Sequence, residues 1–125
     1  MREIVFRGQD HTKKWHYGTP LVFSENFVCM TSANTHNTSV IPATVGQCTG
    51  LTDKNGKKIF EGDILKFKEP FRGADSTIFV VEWDDVNARF LGFTVGGIGR
   101  YMVYVGREPK CEIIGNIHDN PELLN

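Results

Sequence analysis

Apolar residues in this chain come in short runs, most of them alternating with polar ones at a period of two and several of them ended by glycine, asparagine or aspartate. That period belongs to a half-buried strand, whose successive side chains point to opposite faces; a helix would repeat its apolar positions every three to four residues. Arg2 to Arg7 alternates with Ile4 and Phe6 on one face, and after a polar turn over Gly8 to Lys14 the pair Trp15 and Tyr17 can face it across a hairpin. Residues 21 to 30 read as two apolar runs around a turn at Ser24 to Asn26, and residues 31 to 39 as an exposed Ser, Thr and Asn loop. The strongest local signal is Asp53-Lys54-Asn55-Gly56-Lys57, where the Asn-Gly pair predicts a tight hairpin turn with two residues at positive φ. Lys58 to Phe60 and Ile64 to Lys68 follow as strands around a reversal at Glu61-Gly62-Asp63, with Leu65 and Phe67 inward and Lys66 and Lys68 outward. Beyond a loop at Pro70 to Ser76, Thr77 to Trp83 has the β-branched and aromatic content of a central strand. Asp84 to Asn87 turns the chain, and Ala88 to Phe93, Tyr101 to Val105 and Glu112 to Ile114 complete the strand set.

Short strands at this spacing predict a mainly β chain: a meander of short hairpins packed with a small, strongly bent SH3-like β-barrel subdomain. The division expected is an N-terminal hairpin subdomain over 1–50 and the barrel subdomain with a C-terminal tail over 51–125, folding as one unit. The only helical signal is terminal, where Asn120 can cap and Pro121 can open a short turn through Glu122-Leu123-Leu124.

Length and charge narrow the function classes. At 125 residues, folding can bury roughly two-thirds of the unfolded surface, enough for one core or two small ones. Fourteen Lys and Arg against fifteen Asp and Glu leave a net charge of -1, which excludes the overall basic footprint of a DNA-coating protein but permits a local basic face. Charges interrupt the opening apolar residues before a signal-peptide core forms, and no run approaches the ~20 apolar residues of a membrane helix. The expectation is a cytoplasmic protein without membrane contact. Cys29, Cys48 and Cys111 are odd in number and widely spaced, as buried reduced thiols are.

Several groups invite a chemical reading, and each has a cheaper structural one. Glu61 with Asp63, and Glu82 with Asp84 and Asp85, could hold a divalent cation or form an acid and base pair. Carboxylates at strand ends more often cap reversals. His11, His16, His36 and His118 lie on separate segments and lack metalloprotease spacing. Gly96-Gly97-Ile98-Gly99 resembles a phosphate loop, yet the residues after it read as strand where such a loop should open a helix. The most interesting feature is basic: Lys54, Lys57, Lys58, Lys66, Lys68 and Arg72 cluster in sequence with Phe71 among them, as on small barrels that bind nucleic acid. Interleaved Asp53, Glu61, Asp63 and Glu69 dilute that field, so a solvated face that protects an edge strand is the simpler account.

The residues Val45-Gly46-Gln47, Thr49-Gly50-Leu51, Asp53 to Lys57, Ile59 and Glu61-Gly62-Asp63-Ile64 together resemble the YopX family of bacteriophage and prophage proteins. Met1 to Arg7, Val81-Glu82-Trp83-Asp84 with Ala88-Arg89-Phe90, Ile114-Gly115-Asn116-Ile117 and Asn120 to Leu124 are similar to that family as well. The chain departs from the pattern at Gly8-Gln9 and where Cys48 and His118 replace an aromatic. The resemblance implies a β-rich chain with an SH3-like subdomain, an oligomer, and a phage or prophage origin; it carries over no catalytic residue, cofactor or metal.

The expectation is therefore a non-enzymatic phage accessory protein, a binding or assembly module that self-associates and meets a protein partner. The alternative is nucleic-acid binding through Lys54, Lys57, Lys66, Lys68 and Arg72. A third reading is a metal-dependent hydrolase using Asp63, Asp84 or His118.

Overall fold

A computed structural model of the chain describes residues 4–32, 37–67, 77–95, 102–104 and 111–124. The expected loops at Pro70 to Ser76 and Gly96 to Gly99, His36, and the basic residues Lys68 and Arg72 lie outside the described residues. The chain is mainly β and antiparallel, in two compact units, Met1–Cys48 and Thr49–Asn125.

In the first unit β1 (Phe6–Gln9) pairs with β2 (Trp15–Ser24), β2 with β3 (Phe27–Thr31), and β3 with β4 (Thr38–Val40). On the other side of β1, Phe6 and Arg7 pair with Gln47 and Gly46 at the start of β5 (Gly46–Thr52). Val28, Met30 and Val40 form the buried cluster, with Phe6 and Val45 against them. A 3₁₀ turn at Pro42–Thr44 ties this unit to β1. The Thr44 hydroxyl accepts the Gln9 amide at 2.8 Å and donates to the Ile41 carbonyl at 2.6 Å. Two expectations shift here. Among the described residues the first strand begins at Phe6, after Ile4 and Val5, and runs through Gly8 and Gln9, and Ile4 is exposed instead of facing the core. Gly8 is possible in that strand because a Cβ there would already touch Val40 Cγ2 at 3.0 Å and Met30 Cε at 3.1 Å, so the core closes directly over its backbone. Thr38 and Ser39, expected in the loop over 31–39, open β4, which pairs because Val40 supplies the apolar side chain opposite Val28.

In the second unit the far half of β5 runs beside β6 (Lys58–Phe60), and the Thr49 hydroxyl donates to the Ile59 carbonyl at 2.9 Å. The remaining strands are β7 (Asp63–Phe67), β8 (Thr77–Asp84), β9 (Arg89–Thr94), β10 (Met102–Tyr104) and β11 (Cys111–Asn116), in the spatial order β10-β9-β8-β7-β11. Thr77 to Trp83 is thus the central strand its composition predicts. Ile59, Leu65, Phe67, Phe79, Val81 and Cys111 fill one face, with Phe90 and Ile113 packed against them. Each large side chain buried there contributes roughly 1.5–3 kcal/mol. Phe67 and Phe79 meet edge to face at 4.9 Å, the favoured geometry of an aromatic pair. Among the described residues this order has β10 and β11 as its edges and does not close on itself. The expectation holds for a mainly β chain and not for a closed barrel. Residues Pro121–Leu124 form the expected short turn, as a 3₁₀ helix.

Candidate interaction site

Two of the carboxylates singled out in the sequence, Asp63 and Asp84, are engaged by main-chain amides, and a third aspartate, Asp53, organises the clearest hairpin. The Asp53 amide donates to the Lys57 carbonyl at 2.8 Å and the Gly56 amide to the Asp53 carbonyl at 3.0 Å. Asp53 Oδ1 accepts the Asn55 and Lys57 amides, both at 2.9 Å, and Oδ2 accepts the Ile113 amide at 3.1 Å. Of the Asn-Gly pair only Gly56 has a positive φ, +80°. The predicted turn with two left-handed residues is therefore replaced by a three-residue loop ending in a left-handed glycine. The Asp53 side chain favours this form, because its Oδ1 accepts the Asn55 and Lys57 amides on either side of the left-handed glycine. Burial opposes ionisation of Asp53, but the three amides and the Lys57 charge outweigh it and hold its carboxyl below the usual range.

The same loop recurs in the first unit. The Asp10 amide donates to the Lys14 carbonyl at 2.9 Å and the Lys13 amide to the Asp10 carbonyl at 3.0 Å. Asp10 Oδ1 accepts the Thr12 and Lys14 amides at 2.8 and 3.0 Å, and Lys13 occupies the left-handed position with φ +70°. Asp10 Oδ2 also meets His16 Nε2 at 2.8 Å. That contact, reinforced by Thr12 and the amides, pushes the Asp10 carboxyl far down. Asp84 serves the β8–β9 turn in the same way, accepting from the Val86 amide, Asn87 Nδ2 and Arg89 Nε. Asn87 first and Arg89 among the others lower its carboxyl. Asp63 is buried and accepts the Phe60 amide at 2.7 Å across the Glu61-Gly62 reversal. His118 sits in the turn after β11, its amide held by Asn116 Oδ1. Among the described residues no three His, Cys, Asp or Glu side chains are disposed to hold a metal ion.

Among the described residues, Lys54, Lys57 and Lys66 do not form an uncompensated basic patch. Lys54 Nζ lies 3.4 Å from Glu112 Oε2, Lys57 acts on the Asp53 carboxylate, and exposed Lys66 stands opposite Glu112 in the β7–β11 register. Of the acids that dilute the field in sequence, Asp53 stands near a lysine in space, and Glu112, distant in sequence, supplies the second carboxylate.

A different surface stands out, and the sequence reading passed over it. β2 extends six residues beyond its pairing with β1, carried only by β3. Val28 and Met30 point to the core, so Phe27 and the alternating Tyr17, Leu21 and Phe23 line the opposite face. Phe23 and Phe27 are 59% and 47% exposed, yet their rings stack on each other at 5.0 Å with a 24° interplanar angle. Val22, at the same hairpin end, is 72% exposed. Near the base of the hairpin the Arg7 guanidinium lies 4.6 Å over the Trp15 ring. The alternation of Trp15, Tyr17, Leu21 and Phe23 was visible in the sequence. What hid the surface is that both faces of the β2–β3 pair are apolar, so nothing in the pattern said which would be covered.

Comparison with known proteins places these features in a family. The family described as YopX protein matches residues 5–125. No curated protein sequence matches. Among solved structures, protein EF1440 from Enterococcus faecalis is similar, at 27% identity and a TM-score of 0.63, with 100% of each chain covered.

Proposed function

The chain belongs to the YopX family over residues 5–125, and from that premise we propose that it is a phage or prophage accessory protein working as a non-enzymatic binding or assembly module. Its partner surface is the apolar face of the β2–β3 hairpin, and its first partner is another copy of itself. The observation that carries this reading is the exposed, mutually stacked Phe23 and Phe27 pair, with Leu21 two residues along the same strand. Contiguous apolar surface of this kind marks interaction sites, and aromatic side chains dominate the energetics of interfaces. The turn work of Asp10, Asp53, Asp63 and Asp84 supports the non-enzymatic half of the proposal, because each carboxylate is engaged in holding a reversal closed.

Light scattering over a concentration series tests it. The wild type is expected to increase in mass with concentration. Phe23→Ser/Phe27→Ser, at positions already half in water, is expected to stay folded and to shift that increase to higher concentration. A wild type that remains monomeric throughout, or a double variant with an unchanged association curve, sinks the proposal.

A further inference from the structure

Asn55-Gly56 is the only Asn-Gly dipeptide in the 125 residues, and both of its members are exposed at the tip of the Asp53 loop. A Cβ added at Gly56 would meet nothing within 4 Å, so the loop tip has open space around it, and glycine brings no side chain that would hinder attack by its own nitrogen. We propose that this dipeptide is a self-modification site whose rate is set by opening of the Asp53 turn. The Gly56 nitrogen bonds to Asn55 Cγ, the Cγ–Nδ2 bond breaks, and ammonia leaves with the proton that the Gly56 amide gives up. Water then opens the five-membered imide at either carbonyl and leaves aspartate or isoaspartate at position 55.

The closed turn opposes the first step. The Gly56 N–H donates to the Asp53 carbonyl at 3.0 Å, so the attacking nitrogen must leave that bond. The Asn55 and Lys57 amides, anchored on Asp53 Oδ1, keep the loop from rearranging. Reaction therefore proceeds from the locally opened fraction, as exchange of a protected amide does. The consequences reach beyond the loop. Either product adds a carboxylate between Lys54 and Lys57, and isoaspartate lengthens the backbone by one carbon. The lengthened loop cannot keep the Asp53–Lys57 pairing together with the Lys54 amide's 2.9 Å bond to the Cys111 carbonyl. The hairpin's tie to β11 is what the modification releases.

The test is peptide mapping by mass spectrometry during incubation of the whole chain in mildly alkaline buffer, with an Asn55→Asp variant as the mass standard. Four samples are compared: native wild type, wild type in denaturant, Asp53→Ala, and Gly8→Ala as a control altered in the first unit. Conversion at position 55 is expected to be at least roughly tenfold slower in the native than in the denatured protein. Asp53→Ala is expected to recover roughly tenfold of that difference, because the lost hydrogen bonds opened the turn locally, while Gly8→Ala stays at the native rate. A native protein converting as fast as the denatured one, no conversion in denaturant, or equal acceleration by Asp53→Ala and Gly8→Ala each overturns the proposal.

Discussion

Asp53 and Ile113 are sixty positions apart in sequence, yet the Ile113 amide donates to Asp53 Oδ2 at 3.1 Å while Oδ1 of the same carboxylate holds the Asn55 and Lys57 amides. One buried side chain thus fixes its own turn and attaches that turn to β11. The carboxylate form makes all three bonds, and its carboxyl is held below the usual range despite burial. Because the folded value is depressed, the unfolded chain binds the proton first as pH falls. The stabilisation is fully present above about pH 5 and is lost as pH drops through the unfolded value near ~3.9 and on through the folded one. Asp53→Asn keeps the size but turns one acceptor into a donor facing the Ile113 amide, so it is expected to cost about 1–3 kcal/mol at neutral pH. It should also flatten the acid limb of stability. Urea titrations at pH 7 and pH 4 check both; a variant whose loss is the same at the two pH values refutes the assignment.

The two matched loops make opposite predictions at their left-handed positions. Gly56 accepts φ +80° without strain, whereas Lys13 holds φ +70° against the clash between Cβ and the following carbonyl, a penalty of roughly 1–2 kcal/mol. Gly56→Ala is expected to destabilise by about 1 kcal/mol through the backbone alone, since its new Cβ meets open space. Lys13→Gly is expected to stabilise by a smaller amount, because the freedom glycine adds to the unfolded chain offsets part of the relief. Chemical denaturation of the pair reads the difference in sign.

How far these features were legible differs by scale. The turn at Asp53, the reversal at Gly62, the central strand at Thr77 and the terminal turn at Pro121 follow from residue chemistry that acts within a few positions, and each stands where the sequence puts it. The turn geometry at Asn55-Gly56 does not, because the deciding atom is the Asp53 carboxylate, whose ability to override the Asn-Gly preference depends on backbone direction. The start of β1 was misread for a similar reason. Arg2 to Arg7 alternates well, but among the described residues the pairing with β2 runs from Phe6 to Gln9, where Val40 and Met30 close over Gly8. The Phe23 and Phe27 surface was least legible, since a period of two names two faces and is silent on which one another element will cover.

The lysine cluster gives a prediction about charge. Lys66 faces Glu112 across β7 and β11, and Lys54 lies 3.4 Å from the same carboxylate. Lys66→Glu would set two carboxylates opposite each other, with a cost of roughly 0.2–1 kcal/mol that shrinks as salt is added. Lys57→Glu would bring a like charge to the buried Asp53 carboxylate and is expected to cost more and to raise its carboxyl. Stability measured at low and high salt separates the two. An electrophoretic shift with labelled oligonucleotide is expected to show little retardation for the wild type, because Lys54, Lys57 and Lys66 already have carboxylate neighbours. Steep, salt-sensitive retardation abolished by Lys66→Glu would restore the nucleic-acid reading.

Gly18 offers the sharpest structural test. A Cβ built there would fall 2.0 Å from the Thr31 carbonyl oxygen and 2.9 Å from its carbon, and these are backbone atoms that cannot swing aside as a side chain would. Gly18 is also the residue at which β2 passes from its partner β1 to its partner β3, pairing with Phe6 just before Thr19 pairs with Thr31. Gly18→Ala must therefore separate β2 from β3 at the base of the hairpin, and the expected loss is at or above the upper end of the ~1–3 kcal/mol range for overpacking. Gly8→Ala, whose new contacts are side-chain atoms of Met30 and Val40 at 3.0–3.2 Å and no backbone, is expected to cost less. If the hairpin face is the association surface, Gly18→Ala should also abolish concentration-dependent mass at conditions where circular dichroism still reports β structure, whereas Gly8→Ala should retain it. Equal stability losses in the two variants would show that the β2–β3 crossing at Gly18 is looser than its backbone contact requires.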